Sequence, residues 1–197
     1  MTKGVRASRG RPRNEEYDRA ILGAALDQVA RVGFRGVSVE SIATAAGVGR
    51  PTIYRRWPNK AAVVMDAFLW HMAPQVAYPE TPDSLGNLRV HLRSLARLFR
   101  GKAGECISAL LGEAQFDAEL KEAIRERWLA PSRELARKTI AKAIEQGDLQ
   151  AGLDIDVAVD LLYGSLFFRL QLGTERSSEA HAEEVMDFVL RGRSRHS

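Results

Sequence analysis

The stretch from Ser38 to Lys60, SVESIATAAGVGRPTIYRRWPNK, constrains the fold of this chain more than any other. It predicts two short helices joined by a tight turn, the arrangement of a helix-turn-helix motif. Ser38 suits the N-cap of the first helix, and Gly47 can adopt the left-handed backbone that ends it. Pro51 suits the start of the second helix, where its missing N–H leaves no acceptor unsatisfied. That second helix, predicted over residues 50–56, is too short to be stable alone and must be held by its neighbours.

Basic residues are concentrated in the N-terminal part of the chain. Residues 1–60 hold twelve Lys or Arg against five Asp or Glu, a formal net charge of +7, while the whole chain carries +4. Residues 61–197 are therefore slightly acidic, at −3. This uneven distribution indicates a module that faces nucleic acid, attached to a domain with another role.

The first thirteen residues form a basic arm. Residues 1–13 contain five bases and no acid, and we predict that they are disordered in the free protein. Within the arm, RGRPR resembles the core of an AT-hook, whose arginines enter a narrow A·T-rich minor groove. The alternative is a basic tail that only adds loose attraction to phosphates, and the sequence leaves both open. Arg9, Arg11 and Arg13 are the candidate DNA contacts of the arm.

The spacing of apolar residues predicts an all-α fold. A first helix is expected from about Asn14 to Gly33, and a fourth helix from Lys60 to just before Pro74. Helical spacing continues from residue 83 onward, with Pro131 expected to kink or break one long helix. The sequence shows no convincing strand pattern and no internal repeat.

Several classes of protein are disfavoured by the sequence. No apolar run approaches the roughly 18–20 residues of a membrane helix, and the N-terminal residues lack a signal peptide's apolar segment, so we expect a cytoplasmic protein. The single cysteine, Cys106, excludes an internal disulfide framework. The four histidines lack metal-ligand spacing, and no phosphate loop or nucleophile motif is present. We therefore expect no enzyme activity, no cofactor and no metal site.

The motif is similar to that of one protein family. Residues 47–54, GVGRPTIY, complete a pattern that resembles the TetR family of transcriptional regulators. The resemblance runs from about Ala20 to Phe68, and the remainder matches only in layout. Its other elements are Gly33-Phe34, Ser38 before Ile42-Ala43, Ala46-Gly47-Val48, Thr52-Ile53-Tyr54 and Asn59-Lys60.

The resemblance implies a two-part architecture and a mechanism. Residues 14–60 would form a three-helix DNA-binding domain, and residues 61–197 a larger helical domain for ligand binding and dimerisation. Members of the family act as homodimeric repressors on a palindromic operator, with the last two helices pairing in a four-helix bundle. A small-molecule inducer shifts helix four, so that the paired heads release the operator, and it must prefer the released state to do so.

The resemblance also implies which residues touch DNA. Arg50, at the start of the second helix, is the first candidate for base readout, because arginine can grip guanine with two hydrogen bonds, and Arg55 is the second. Tyr54 is expected to bond a phosphate through its hydroxyl while its ring packs on the scaffold. The candidate contacts in the motif are Ser38, Thr44, Arg50, Pro51, Thr52, Tyr54, Arg55, Arg56 and Lys60.

The remaining motif residues have supporting roles. Pro51 and Thr52 would offer apolar contact to a thymine methyl or a hydroxyl to base or phosphate. Ser38, Thr44 and Lys60 would contact phosphates and position the domain without specifying sequence.

Two positions depart from the family's pattern. Glu40 stands where some members place a base-contacting cation, and we expect it to serve the dipole of the motif's first helix. Trp57 replaces a more usual phenylalanine and is expected to lie in the core.

Aromatic residues of the C-terminal part are candidates for a ligand cavity. The candidate residues are Trp70, His71, Trp128, Tyr163 and Phe167, together with Phe168. Each of them also suits an ordinary core or interface position, and the sequence favours that interpretation. The apolar stretch from Leu161 to Leu170, with a further apolar helix after it, is predicted to form the dimer face.

Two other functions compete with the ligand-responsive repressor. One is a ligand-independent or architectural DNA-binding protein that uses the basic arm. The other is a helical scaffold that binds small molecules and carries a vestigial DNA-binding head. The architectural protein differs from the repressor in whether sequence-specific DNA binding depends on Arg50 or on residues 1–13. Measurable operator affinity at physiological salt would exclude the scaffold.

Overall fold

The computed structural model describes residues 11–76, 78–173 and 178–190, and the side chains of residues 11–14 are not part of that description. Over these ranges the regular structure is helical without a strand, which confirms the all-α prediction. The helices are α1 (Arg11–Gly36), α2 (Val39–Ala46), α3 (Arg50–Tyr54), α4 (Lys60–Met72), α5 (Ser84–Phe99), α6 (Lys102–Glu113), α7 (Ala118–Ile124), α8 (Ala130–Glu145), α9 (Ile155–Leu172) and α10 (Glu179–Leu190), with a π-helical turn, Arg125–Leu129, between α7 and α8. No helix within the described ranges is both long enough and apolar enough to cross a bilayer.

The chain divides into two compact units between Trp70 and His71. The first unit contains α1, α2, α3 and most of α4, and the second contains α5 to α10. The predicted division after residue 60 lies too early, because Ala62, Val63 and Ala67 of α4 belong to the core of the first unit.

Helix α1 starts earlier than predicted and is interrupted where predicted. Its backbone is helical from Arg11, so Asn14 lies inside the helix, and the disorder of residues 1–13 in the free protein stays a prediction. Pro12 is compatible with this start because the fixed φ of proline suits a first helical turn. The rest of the predicted arm, residues 1–10, lies outside the described residues. Gly33 breaks the helix with φ 68° and ψ 169°, a conformation essentially restricted to glycine.

The core of the first unit joins all four of its helices. Helix α3 contributes Ile53, which is fully buried, as its only buried residue. Trp57, which follows α3, is also buried, as predicted. The buried cluster consists of Ile21, Leu22, Ala25, Val37, Val39, Ile42, Ala43, Ile53, Trp57, Ala62, Val63 and Ala67. The short helix α3 is therefore held against the unit by one isoleucine and the tryptophan after it.

In the second unit, α5 packs against α8 and α10, and α9 packs against the same two helices. Three of its helices begin at an aspartate whose carboxylate accepts a backbone N–H three residues later. The bonds are Gly86 N–Asp83 Oδ1 at 2.8 Å, Leu120 N–Asp117 Oδ1 at 2.8 Å and Val157 N–Asp154 Oδ1 at 3.1 Å. Each carboxylate satisfies an N–H that lacks an intrahelical partner and lies at the positive end of the helix dipole. Asp154 is thus the N-cap of α9.

The segment before Pro131 widens into a π-helical turn. The N–H of Ala130 donates to the carbonyl oxygen of Arg125, five residues earlier, instead of four. A proline has no N–H to donate, and its ring clashes with the carbonyl four residues before it in a regular helix. The wider turn accommodates the proline without ending the helical path, where we predicted a kink or a break.

Ion pairs connect α5 with α10. Glu179 accepts hydrogen bonds from Arg93 Nε and Arg97 Nη1, both at 3.0 Å, and Arg89 Nη2 donates to Asp187 at 3.3 Å. The two arginines hold the pKa of the Glu179 carboxyl below its usual value. These pairs are exposed, so they orient α10 more than they stabilise it.

Candidate nucleic-acid interface

Helix α2 begins with a reciprocal hydrogen-bonded cap. The Ser38 hydroxyl oxygen accepts the N–H of Ser41 at 3.1 Å, and the Ser41 hydroxyl oxygen accepts the N–H of Ser38 at 3.1 Å. This confirms Ser38 as the N-cap and satisfies two backbone donors that a helix start leaves unpaired. The hydroxyl proton of Ser38 is not used in this cap, so its predicted phosphate contact stays a prediction.

The turn between α2 and α3 depends on Gly47. Its φ of 65° and ψ of 31° place it in the left-handed region, and its N–H donates to the carbonyl of Thr44 at 3.2 Å. The N–H of Val48 donates to the carbonyl of Ala43 at 3.0 Å. Together these bonds close the C-terminus of α2 in the manner of a glycine cap. The Thr44 side chain is exposed beside the turn, where a phosphate could reach it.

The outer face of α3 is polar. Arg50, Pro51 and Tyr54 are exposed and Thr52 is half-buried, while Ile53 points into the core. The helix ends at Tyr54 rather than at residue 56, because the backbone then turns to bring Trp57 into the core. Tyr54 is more exposed than we expected, and its ring does not lie buried on the scaffold.

Arg50 is paired with Glu40 across the turn. Its Nη1 donates to Glu40 Oε1 at 2.7 Å, and the two side chains are 60% and 55% exposed. This hydrogen bond lowers the pKa of the Glu40 carboxyl and raises that of the guanidinium, so both groups are charged at neutral pH. The partnership was missed from the sequence because ten residues separate the two positions, and neither helical nor strand periodicity links them.

Arg55 and Arg56 have different surroundings despite being adjacent. Arg55 is exposed and has no ion-pair partner in the described part of the chain, so its guanidinium is available to DNA. Arg56 forms an ion pair with Asp18 of α1, and both side chains are largely covered. The geometry therefore favours a structural role for Arg56 over the predicted DNA contact.

Lys60 also turns toward its own domain. Its Nζ donates to the carbonyl oxygens of Phe34 at 3.1 Å and Val37 at 3.2 Å, and it lies 4.4 Å from the centroid of the Phe34 ring. Two of its three ammonium protons are therefore used to hold the loop between α1 and α2. The predicted phosphate contact is left with one donor.

The structure describes only some of the predicted DNA contacts of the N-terminal arm. Arg9 lies outside the described residues. Arg11 and Arg13 belong to the first turn of α1, but their side chains are not described.

Three of the predicted ligand residues, Trp128, Tyr163 and Phe167, make aromatic contacts in the second unit. Trp128 and Phe167 meet edge to face with ring centroids 5.5 Å apart, and Tyr163 lies 5.9 Å from the His91 ring. The Tyr163 hydroxyl is buried without a hydrogen-bond partner, and burial raises the pKa of this phenol. Phe99 continues the cluster, with its ring centroid 5.2 Å from that of Phe167. The described part of the chain thus holds two sets of aromatic contacts, one around Phe167 and one around His91, and the unsatisfied Tyr163 hydroxyl belongs to the second.

The other three candidates are exposed, and one of them, Phe168, is 57% exposed on α9. Trp70 and His71 are exposed at the C-terminal end of α4. Because they are exposed, these side chains are less suited to line a ligand cavity than Trp128, Tyr163 and Phe167, which contact other aromatic rings.

Comparison with known proteins identifies both parts of the chain. Residues 21–67 match the family described as bacterial regulatory proteins, tetR family, and residues 78–189 match the tetracyclin repressor-like C-terminal domain. The chain is 37% identical over 188 residues to the HTH-type transcriptional regulator YdeS of Bacillus subtilis (strain 168), covering 95% of each protein. It is 30% identical to the DNA-binding transcriptional repressor TetR of Mycobacteroides abscessus, covering 82% of this chain and 85% of that one.

The fold of the chain is also similar to that of a solved structure. The crystal structure of the TetR family transcription regulator SCO0332 matches with a TM-score of 0.75 and 29% identity, over 90% of this chain and 98% of that one. These relatives are regulators of transcription, which confirms the prediction that the chain is not an enzyme. The two matched domains, the relatives and the helix-turn-helix geometry agree, and the chain belongs to the TetR family of DNA-binding transcriptional regulators.

Proposed function

We propose that the protein is a cytoplasmic, homodimeric and ligand-responsive repressor that binds a palindromic operator. The observation that carries this proposal is the outer face of α3. That face is exposed and rich in hydrogen-bonding groups, while Ile53 anchors the opposite face in the core. A helix presented in this way fits the major groove of DNA, where base edges carry a unique pattern of donors and acceptors.

Some side chains of this face would contact bases, and others would contact phosphates. Arg50 keeps four of its five N–H donors beyond the bond to Glu40, and it can bind the O6 and N7 atoms of guanine. Pro51 and Thr52 come next along the helix and offer contacts to a thymine methyl and to a polar base edge. Tyr54, Arg55 and Thr44 lie at the margin, where they bind phosphates and fix the position of the domain.

Dimerisation is supported by an apolar face on α9. Val157, Leu161, Phe168 and Leu172 are all exposed, and their spacing of four, seven and four residues places them along one side of the helix. On α10, Phe188 is 84% exposed. Packing of this face against a second copy of the chain would remove its apolar side chains from water. The resulting twofold interface would also match the symmetry of a palindromic operator.

Repression and ligand response rest on two further observations. The Mycobacteroides abscessus relative is a transcriptional repressor by name, and this chain shares 30% of its residues over most of both proteins. Tyr163, four residues before Phe167 on α9, contacts the His91 ring and has a buried hydroxyl without a hydrogen-bond partner in the described part of the chain. A mainly apolar ligand with one hydrogen-bond acceptor fits these surroundings, because it would satisfy that hydroxyl.

The DNA-binding part is tested by gel shift on the DNA upstream of the protein's own gene. Arg50→Ala is expected to weaken binding roughly 10- to 100-fold, as a bidentate base contact is lost. The matched control is Arg125→Ala, because Arg125 is 61% exposed and paired with Glu122 in the second unit. Equal binding by the two variants would contradict base readout by Arg50.

The same assay separates the repressor from an architectural DNA-binding protein. If the arm supplies recognition, deletion of residues 1–10 abolishes binding and Arg50→Ala has little effect. A specific repressor shows the opposite ranking, with the deletion lowering affinity equally for all sequences and reducing the salt dependence.

Dimerisation is tested by sedimentation at micromolar concentrations. The double substitution Leu161→Glu and Phe168→Glu is expected to give monomers, because it places four like charges at a twofold interface. Leu135→Glu on α8 is the control, since Leu135 is also an exposed leucine but belongs to another helix. Dimers that survive the double substitution would show that another surface pairs.

Ligand response is tested with a thermal-shift screen of mainly apolar compounds that carry one carbonyl or ether oxygen. Compounds that raise the melting temperature are then tested for release of the operator. Tyr163→Phe is expected to weaken such a compound roughly tenfold, the value of one hydrogen bond in a dry site. Operator release that is unchanged by this substitution would place the ligand elsewhere.

A further inference from the structure

The Glu40–Arg50 pair lies beside the turn of the helix-turn-helix motif and includes the proposed base-reading arginine. Glu40 lies in the first turn of α2 and Arg50 is the first residue of α3, so the pair bridges the two helices of the motif. The Nη1–Oε1 distance of 2.7 Å is that of a strong charge-assisted hydrogen bond. Both side chains are more than half exposed, and an exposed ion pair contributes little to folding stability. Stabilisation of the fold is therefore a weak explanation for the pair.

The position of Glu40 in α2 does not require the contact either. The reciprocal cap of α2 is closed by Ser38 and Ser41 and does not involve the glutamate. An acidic residue in the first turn still favours the helix dipole, as predicted, but a carboxylate can do so without reaching Arg50. The side chain nevertheless extends across the turn to the guanidinium.

We propose that Glu40 is a positioning residue that sets the base specificity of the protein through Arg50. The inference rests on the proposed function of Arg50 as a base reader. An arginine side chain has four rotatable bonds, and holding it in place before DNA arrives removes part of the entropic cost of binding. The Glu40 carboxylate takes one donor of Nη1, and the guanidinium keeps a pair of N–H groups that can face guanine.

The charge of Glu40 has a second consequence. A carboxylate beside the phosphate backbone opposes binding to every DNA sequence, because it cancels part of the attraction exerted by Arg50. Only at an operator with guanine in the correct place does the ordered guanidinium gain enough to offset this repulsion. The pair therefore raises specificity by lowering affinity for unrelated DNA as well as by ordering the contact.

The ionisation of the pair supports this arrangement. The hydrogen bond from Arg50 holds the pKa of the Glu40 carboxyl below its usual value. The carboxylate is therefore charged at neutral pH, and the contact weakens only as the pH falls through that lowered pKa.

The test measures the binding of wild type, Glu40→Gln, Arg50→Ala and the double variant to the operator and to random-sequence duplex. A panel of operators replaces each base pair of the half-site in turn. Glu40→Gln is expected to raise affinity for random duplex about threefold to tenfold, since one opposing charge is removed. Its preference for guanine at one base pair is expected to fall about fivefold to tenfold, part of the discrimination of a bidentate contact.

Two comparisons identify the cause of such a change. In the double variant, discrimination at that base pair should be no worse than in Arg50→Ala alone, because Glu40 acts through Arg50. Glu122→Gln is the matched control, since Glu122 is also exposed and bound to an arginine, but in the second unit. It is expected to leave both affinities unchanged.

The outcomes separate the inference from the proposed function. If Arg50→Ala binds the operator like wild type, base readout by Arg50 fails and the role of Glu40 fails with it. If Arg50→Ala weakens binding while Glu40→Gln keeps the guanine preference, only the inference about Glu40 fails. A lower melting temperature of Glu40→Gln with unchanged specificity would assign Glu40 to the dipole of α2 alone.

Discussion

The short helix α3 and the long helix α9 both expose a distinctive face, but they depend on their surroundings in opposite ways. Helix α3 has five residues, its exposed face is polar and charged, and it is anchored through Ile53. Helix α9 has eighteen residues, and its exposed face is apolar. An isolated five-residue helix does not form in water, whereas eighteen residues approach the length at which helices hold themselves together. The conformation of α3 is therefore set by the residues that it packs against. The shape of the α9 face is set largely by the backbone of α9 itself.

The chemistry of each face selects its partner. Cationic and hydroxyl groups on α3 remain hydrated until a phosphate or base edge replaces the water. The apolar groups on α9 gain from any surface that removes them from water, and a second copy of the same helix is such a surface. Substitutions that keep the face intact but disturb its support should therefore affect α3 strongly and α9 weakly.

The largest effect is expected from the anchor of α3. Ile53→Ala should lower the free energy of unfolding by about 2–5 kcal/mol, because the fully buried side chain leaves a cavity in the core. Leu161→Ala removes a side chain of similar size from a position that is 50% exposed. Its effect should depend on protein concentration, because it acts through dimerisation. Urea unfolding at two protein concentrations measures both.

Equal losses of stability in Ile53→Ala and Leu161→Ala at every protein concentration would contradict the proposed difference between α3 and α9. That result would mean that Leu161 is buried within the monomer. A small effect of Ile53→Ala would show that α3 is held by contacts other than its one buried residue.

Two glycines provide the next test, with effects of opposite sign. Gly47→Ala should cost about 1–2 kcal/mol, because an alanine is strained at a φ of 65°. Gly164 lies within α9 with open space around its Cβ position, so Gly164→Ala should stabilise the monomer by up to about 1 kcal/mol. Thermal unfolding measures both, and a gain from Gly47→Ala would contradict the role of this glycine in the turn.

Adjacent arginines at the end of α3 give a smaller and more specific effect. Arg56→Gln should lower stability by about 0.5–1 kcal/mol, because it breaks the largely covered pair with Asp18. Arg55→Gln should leave stability unchanged and reduce the salt dependence of DNA binding by about one phosphate contact per protomer. Unfolding curves and a salt titration of operator binding separate the two residues. If Arg55→Gln lowered stability and Arg56→Gln reduced the salt dependence, the roles assigned to the two arginines would be reversed.

The sequence predicted local features better than distant contacts. The cap at Ser38, the left-handed Gly47 and the all-α fold follow from patterns within a few residues, and the structure confirms them. Partners far apart in the chain were not predictable, because no period relates Arg50 to Glu40 or Arg56 to Asp18. These side-chain partners determine which cations remain available to DNA.

The same limit applied to the second unit and to Lys60. Helical periodicity identified the apolar faces there, but it could not show that Tyr163 would be buried without a hydrogen-bond partner. Lys60 was predicted to contact a phosphate from its position at the start of the fourth helix and from the resemblance. The structure brings its ammonium to two backbone carbonyls of the loop between α1 and α2.

The smallest effect on stability is expected at Tyr163, on the α9 side of the comparison. Tyr163→Phe removes a buried hydroxyl that has no partner, so it should leave stability unchanged or raise it by about 1 kcal/mol. Tyr78→Phe is the matched control, because the Tyr78 hydroxyl is bonded to Thr139 Oγ1 at 2.5 Å, and its loss should destabilise by about 1 kcal/mol. Both are measured by thermal unfolding in the absence of ligand. A clear loss from Tyr163→Phe would show that the hydroxyl already has a partner, such as an ordered water, in the free protein. In that case a ligand would have to displace this partner, and the gain from binding at Tyr163 would be correspondingly smaller.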